Sequence, residues 1–439
     1  MIMLGLACAS FTYVWIKFVE VNNQTGHLTG LGNILMSVLV YAALFIVAGR
    51  WFNAFKIGVE RIAKMVASVV ITVFVTDFLE LFVSLAITGQ FRFFFDFLWR
   101  YVLLACCQAF ILDFLVIFMI SLYRKIIPPI AMLEVVGEHN NHLAMALNKI
   151  PYKYCIMESV RYDDPDLDNK LNSHEAVLIN DIPAAEHNIV LKRCFELNKR
   201  VYTVPKISDI IIKSSDNISL VDTPLFLCRN LGISTWQLAI KRAADLFFSL
   251  LALIVLSPVL LITALAIKLE DGGPVFFRQE RVTLNEKRFM ILKFRSMIVD
   301  AEKDGRPHPA GEKDDRITKV GHVIRACRVD ELPQLINIIK GEMSIVGPRP
   351  ERWEHVEKYK QEIPEFSYRY KVKGGLTGYA QVFGKYNTSA LDKLKLDLMY
   401  ITNYRLLLDV QIIFETVKIL FIKDSTEGFE QEKIEEMHG

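Results

Sequence analysis

The sequence predicts a membrane protein in three parts: an N-terminal four-helix transmembrane bundle, a small α/β domain of degenerate doubly wound type, and a polar, motif-dense C-terminal domain. Three observations carry this. Hydrophobic residues make up 52% of the 439 positions and mean hydropathy is +0.29, above an ordinary soluble chain. Residues 1–122 hold only seven Lys or Arg and six Asp or Glu, about half the 23% charge density of the whole chain. Beyond them β-like and helical patterns alternate, and motifs crowd the last third. The charge balance, 51 basic against 49 acidic residues, gives no electrostatic ground for nucleic acid as the main partner. Seven cysteines without a CxxC pair, two of them adjacent at Cys106 and Cys107, predict reduced thiols rather than a disulfide scaffold or a zinc site.

Four apolar stretches, about 2–19, 31–49, 66–88 and 101–123, each approach the roughly 20 residues that cross a bilayer as helix. The first lacks a basic lead and a cleavage site, so it reads as a retained helix rather than a signal peptide. Arg50, Lys56, Arg61 and Lys64 follow the second stretch, and Arg124 and Lys125 follow the fourth. The positive-inside rule then places the N-terminus and everything after residue 123 in the cytoplasm, although Arg92 and Arg100 dilute the signal. Asp77, Glu80 and Asp113 fall inside the third and fourth stretches, where ionisable groups face protein rather than lipid. The plainer account is acids that hold helices together; the alternative is a polar path or head-group site.

Pro128 and Pro129 end the bundle, predicted as residues 1–125. The α/β domain, 126–232, shows strand-like runs at Met132–Val136, Tyr154–Val160, Ala176–Ile179 and Val201–Val204, with a helical pattern at Ala184–Asn198. Gly137 follows the first strand, but Gly137–His142 supplies one glycine where a dinucleotide turn needs three. This points to a structural or regulatory domain rather than a cofactor site.

The third domain, 233–425, precedes a polar tail at 426–439. It opens on an uncharged run, Leu246–Ile267, flanked by Lys241 and Arg242 on one side and Lys268 on the other. Ser257–Pro258 sits at its midpoint, where proline bends a helix and a serine hydroxyl can satisfy a freed backbone group. Composition alone slightly favours a kinked spanning helix over a re-entrant hairpin. Trp236, Leu238 and Ile240 suit an interfacial lead-in.

Further on, Leu332, Leu335, Ile336 and Ile339 recur at helical spacing, predicting a helix over 331–340 that Gly341 ends. Asp330 then reads as its N-cap, with Pro333 in its first turn. Against a plain cap stand Glu331 alongside and the cations Lys293, Arg295, Arg325, Arg328 and Arg349 nearby in sequence. Two acids at the positive end of a helix among Arg and Lys make a place for a phosphate and a divalent metal, which is what phosphoryl transfer requires.

The ordered motifs Phe277–Arg281, Lys293–Met297, Arg328–Leu335, Gly341–Pro350 and Lys371–Val382 resemble those of the bacterial sugar transferase family, the monotopic polyprenol-phosphate phosphoglycosyl transferases. The likeness runs from about Lys241 to Phe421, and the preceding helices and α/β domain resemble the family's long form. It implies transfer of a sugar 1-phosphate from a UDP-sugar to undecaprenyl phosphate with release of UMP, a first membrane step of surface polysaccharide synthesis. By the same resemblance Asp330 is a covalent nucleophile, Glu331 a Mg²⁺ ligand, and Lys293, Arg325 and Arg349 bind substrate phosphate. Residues 241–268 become a re-entrant helix broken at Ser257 and Pro258 in a mainly α catalytic domain, and the helices of 391–421 lie in the head-group plane. Expected partners are a UDP-sugar, undecaprenyl phosphate, the lipid bilayer and a second copy of the chain in a homodimer, with no nucleic acid. The expected location is the bacterial inner membrane, multi-pass, with the catalytic domain on the cytoplasmic face. Thr283 stands where the family usually has Gly, Gly374 where Pro is common, and Arg328–Val329 replaces the usual lead-in to the acid pair. The rival from another class is a polytopic membrane sensor or scaffold whose α/β domain binds a ligand. A weaker third is a transporter using Asp77, Glu80 and Asp113.

Overall fold

The computed structural model describes residues 1–20, 31–57, 62–89, 91–137, 142–148, 153–228, 233–299, 314–384 and 388–420. The predicted polar tail 426–439 and residues 138–141 of the Gly137–His142 stretch lie outside them. The chain forms two compact units, Met1–Val204 and Pro205 onward.

The first unit begins with α1 (Ile2–Val14), α2 (Leu31–Trp51), α3 (Ile62–Thr88) and α4 (Phe94–Ile126). Three of these, α2, α3 and α4, are long and apolar enough to cross a membrane, whereas α1 is shorter and continues as a π turn over Trp15–Glu20. Phe11 and Trp15 nevertheless bury completely against Tyr41, Phe45 and Leu112 in a common core. Polar side chains tie this core together. The Tyr41 hydroxyl lies 3.0 Å from Asp77 Oδ1 and 2.8 Å from Gln108 Oε1. Gln108 Nε2 in turn donates to Ser10 Oγ at 2.8 Å and the Ala7 carbonyl at 3.2 Å. Asp77 and Glu80 are buried within the protein, at 1% and 0% exposure, as acids inside apolar helices must be.

After α4 comes a four-stranded parallel sheet of β1 (Ile130–Val136), β2 (Tyr154–Arg161), β3 (Ala176–Asn180) and β4 (Arg200–Thr203), ordered β2-β1-β3-β4. Helices α5 (His142–Asn148), α6 (Leu167–Ser173) and α7 (Ala184–Glu196) alternate with the strands. All four predicted strands and the predicted helix are present; the apolar runs of β1 and β3 make the buried centre of the sheet, and β2 and β4 form its more exposed edges. A Cβ on Gly137 would collide with the Asp181 carbonyl, so close backbone packing accounts for this glycine without a ligand.

The second unit opens with α8 (Ile207–Lys213) and an antiparallel hairpin, β5 (Asp216–Leu220) and β6 (Thr223–Leu227); these residues, grouped with the α/β domain by sequence, fall within this unit. Helices α9 (Thr235–Val255) and α10 (Ser257–Asp271) follow, bent by 62° at Leu256. The bend has the predicted chemistry. Pro258 has no N–H to give the Ile254 carbonyl, and the Ser257 hydroxyl donates to that carbonyl instead at 2.7 Å. Phe247, Leu250, Leu251, Ile254, Leu261 and Ile262 are exposed around this pair. Its polar residues turn inward: Lys241 pairs with Asp409 at 2.6 Å, and Asp245 accepts the Ile345 N–H at 3.0 Å.

An antiparallel pair, β7 (Phe276–Val282) and β8 (Arg288–Phe294), leads to α11 (Lys319–Ala326) and α12 (Gln334–Lys340). A parallel pair, β9 (Ser344–Val346) and β10 (Gly375–Thr377), encloses α13 (Trp353–Glu362) and a 3₁₀ run over Pro364–Lys371. The last described elements are α14 (Tyr379–Phe383), α15 (Ala390–Thr402) and α16 (Leu406–Leu420). Leu335 and Ile338 of α12 bury against Phe289 and Ile291 of β8. Helix α12 starts later than the sequence predicts. Val329–Glu331 form a separate 3₁₀ turn and Pro333 is the N-cap, so Asp330 does not cap the helix. Gly341 ends it as expected, at φ 87°.

Candidate active site

Asp330 and Glu331 project from the 3₁₀ turn between α11 and α12. The turn is entered through Arg328 in the left-handed region, at φ 57°, so the lead-in bends sharply just before the acid pair. Strand β8 brings Lys293 to this turn, and the segment after β9 brings Arg349. Lys293 Nζ donates to Glu331 Oε1 at 2.6 Å, and Arg349 Nη2 donates to the same oxygen at 2.9 Å. Burial disfavours a charge on Glu331, but Arg349 and Lys293 outweigh it and hold this carboxyl well below its usual range. Lys293 shifts below its ordinary value, with burial the main cause and Glu331 resisting.

Asp330 goes the other way. Burial and the Glu331 charge raise its carboxyl, against the pull of Lys293, Arg325 and Arg328. The five residues singled out by sequence are therefore brought together: Lys293 and Arg349 clamp Glu331, and Arg325, in the last turn of α11, acts on Asp330. Among the described residues the Asp330 carboxylate has no hydrogen-bond partner, which leaves it open to a substrate. Ser257 and Pro258 are not part of this cluster; they form the bend between α9 and α10.

One cation read as a neighbour of the acids is not there. Arg295 forms a two-pronged pair with Asp271 and donates to the Pro274 carbonyl at 2.7 Å, tying the end of α10 to β8. The Arg295 guanidinium holds Asp271 down at about 2.

Several residues that build the site were not singled out. Asn337, fully buried in α12, accepts the Leu292 N–H at 3.0 Å and donates to the Met290 carbonyl at 2.9 Å and to Glu342 Oε2 at 2.7 Å. These bonds stitch α12 onto β8, the strand that carries Lys293. The available signal was a polar residue inside the stripe Leu335, Ile336, Ile338, Ile339. Arg369, at 1% exposure, pairs with Asp397 at 2.7 Å and donates to the Arg349 carbonyl at 3.0 Å, anchoring the backbone that presents Arg349. Arg281 and Gln334 line one pocket with Ile291, Lys293, Arg349, Pro350 and Gly375. Burial, then Arg349, pushes the Arg281 guanidinium down to about 10.

No cluster of three or more His, Cys, Asp or Glu placed to hold a metal occurs among the described residues. The acid pair still suits Mg²⁺, which is commonly held by one or two carboxylates together with substrate phosphates. Glu331 Oε1 is taken by two cations, which leaves its other oxygen and Asp330 as the donor set.

The chain matches a family described as bacterial sugar transferase over residues 236–423. It is 37% identical over 270 residues to the UDP-N-acetylgalactosamine-undecaprenyl-phosphate N-acetylgalactosaminephosphotransferase of Aeromonas hydrophila, covering 59% of this chain and 61% of that one. It is 43% identical over 205 residues to the UDP-glucose:undecaprenyl-phosphate glucose-1-phosphate transferase of Escherichia coli K12, covering 46% and 42%. A protein of the same description from Caulobacter vibrioides is 41% identical over 191 residues, 42% of this chain and 71% of its own length. The chain thus spans about half the length of the curated relatives it matches, from 42% to 61% in the first two. The chain belongs to the bacterial sugar transferase family.

Two departures from the family pattern meet in space. The Gly374 N–H donates to Thr283 Oγ1 at 3.0 Å, and Thr283 Oγ1 donates to the Glu342 carbonyl at 3.0 Å. A proline at 374 would have no N–H to give, so threonine at one position and a non-proline at the other act as a pair.

Proposed function

We propose that this protein transfers a sugar 1-phosphate from a UDP-sugar to undecaprenyl phosphate at the cytoplasmic face of the bacterial inner membrane. The observation that carries the reading is the division of labour in the acid pair: Glu331 neutralised between Lys293 and Arg349, Asp330 beside it and unengaged. The reaction runs in two displacements. An Asp330 carboxylate oxygen attacks the sugar-linked phosphorus, and the bond to the UMP phosphate breaks, its electron pair leaving with UMP. The lipid phosphate then attacks the same phosphorus, and the Asp330 carboxylate is released. Lys293, Arg325 and Arg349 bind the phosphate oxygens whose charge grows during both displacements. Glu331 orients Lys293 and Arg349 and would hold Mg²⁺ together with Asp330. When bound, that ion supplies Lewis-acid neutralisation of phosphate charge.

The bent pair α9–α10 is proposed to enter and leave the membrane on the same side, keeping Asp330 with the nucleotide-sugar. Its exposed apolar surface and the cations Lys241, Arg242 and Lys268 flanking it support this placement. Helix α16, with Leu407, Val410, Ile413 and Val417 partly exposed, would rest in the head-group layer. Helices α1–α4 would form a four-helix transmembrane bundle.

The test is UMP release by the purified full-length protein with Mg²⁺ and undecaprenyl phosphate over a panel of UDP-sugars. Turnover with one or more sugars, lost on chelation with EDTA, is expected. No release with any of them would refute the reading and favour the sensor alternative.

A further inference from the structure

We infer that Arg281 is a further substrate-binding residue, one that takes the nucleotide-side phosphate of the UDP-sugar and stabilises the departing UMP. This rests on the function proposed above and gives a role to the last residue of the Phe277–Arg281 motif, to which the resemblance assigned none.

Strand alternation puts Gln279 and Arg281 of β7 on the same face as Ile291 and Lys293 of β8, since Gln279 pairs with Ile291 and Arg281 with Phe289. That face, capped by Gln334 of α12 and by Arg349 and Pro350, is the pocket beside the acid pair. Within it the Arg281 guanidinium is only partly satisfied. Nη1 donates to the Pro350 carbonyl at 3.2 Å and Nη2 to Gln279 Oε1 at 2.6 Å. The buried Nε–H has no partner. Among the described residues no carboxylate lies within ion-pair distance of Arg281, because the acids around it are already engaged. Glu331 is held by Lys293 and Arg349, and Glu351 lies 3.7 Å from Arg369. A buried cation with neutral partners and a free donor is costly unless an anion completes it.

The position selects which anion. Arg281 shares its pocket with Lys293 and Arg349, the two cations that hold Glu331 next to Asp330, so an anion reaching Arg281 lies beside the acid pair. With the sugar-linked phosphorus facing Asp330, the second phosphate of the diphosphate is the anion left for Arg281 in that pocket. As the bridging bond breaks, the electron pair moves onto that second phosphate, and Arg281 meets the charge where it appears.

The experiment uses the full chain in nanodiscs, with R281Q and R281K. Four quantities are read: the product-inhibition constant of UMP, the KM of the UDP-sugar that wild type turns over, the KM of undecaprenyl phosphate, and the rise in thermal midpoint that UMP produces. R281Q is expected to weaken UMP and the UDP-sugar by about tenfold or more, as loss of a charge-assisted bond does, and to abolish the UMP-induced rise. R281K should lie between, because lysine keeps the charge without the planar fork. The kcat/KM of undecaprenyl phosphate, taken from the same titrations as its KM, should stay at its wild-type value, because in two successive displacements it reports the second alone. Should R281Q fail to fold, R281K decides through the same four readings. UMP affinity unchanged in the folded variants, or a change confined to the lipid phosphate, overturns the assignment. Wild-type protein that releases no UMP instead defeats the proposed function itself, so the two failures are distinct.

Discussion

Lys293 donates its ammonium to Glu331 at 2.6 Å, across 38 residues of sequence, and this contact joins β8 to the turn that carries Asp330. Glu331 is thereby a fixed anion between two cations, and its neighbour Asp330 is the group left free to react.

Replacing Glu331 with Gln should therefore affect both stability and rate. Its carboxyl is depressed in the folded protein relative to the ordinary value of 4.5. The unfolded chain takes up the proton first on acidification, so the stabilisation is present above about pH 4.5 and is lost as pH falls toward the folded value. E331Q should lose about 2–3 kcal/mol at neutral pH, the worth of charge-assisted hydrogen bonds. The deficit against wild type should shrink below about pH 4.5, which denaturant titrations at several pH values will read. A deficit independent of pH would contradict the clamp.

Asp330 is shifted upward, with burial and Glu331 as causes and Arg325 opposing. The acid limb of kcat/KM for the UDP-sugar should lie above the ordinary aspartate value of 3.8. R325Q removes an opposing positive charge, so the limb should move to higher pH, with a fall in rate of about a hundredfold from lost phosphate binding. A pH–rate profile whose limb stays in place would show that Arg325 does not act on Asp330.

Much of this arrangement was legible in the sequence. The parallel strands announced themselves as short apolar runs between turn residues, and Ser257–Pro258 predicted both the bend and the hydroxyl that mends it. The acid pair stood out among nearby cations in the sequence, the family resemblance singled out Lys293, Arg325 and Arg349, and the fold sets Lys293 and Arg349 on Glu331. What stayed hidden depends on contacts distant in sequence. Arg295 looked like a site cation but is claimed by Asp271, 24 residues away. Asn337 was passed over, because an amide inside an apolar stripe gains its meaning only from the β8 backbone groups it bonds. Thr283 and Gly374, 91 residues apart, read as unrelated departures, and only the fold joins them. The later start of α12 is local, but it follows from Pro333 and the left-handed Arg328, which periodicity does not record.

The proposed same-side topology of α9 and α10 is open to labelling. Single cysteines at Gln237 and Arg278 in a cysteine-free background should both resist a membrane-impermeant thiol reagent in intact cells and react after permeabilisation. P258L restores a backbone donor to the bend and should turn a fraction of molecules into a straight, crossing and inactive form. Labelling of residue 278 from outside in the unaltered hairpin would mean that it crosses.

The central claim is that Asp330 carries the sugar phosphate covalently. The most direct measurement is UMP release before any lipid acceptor is added. Full-length protein mixed with its UDP-sugar and Mg²⁺ should give a burst of about one UMP per active site and gain the mass of one sugar phosphate on the peptide containing Asp330. D330N should give neither, because its amide cannot form the adduct. UMP that appears only once undecaprenyl phosphate is present, or a burst of normal size in D330N, would contradict the account.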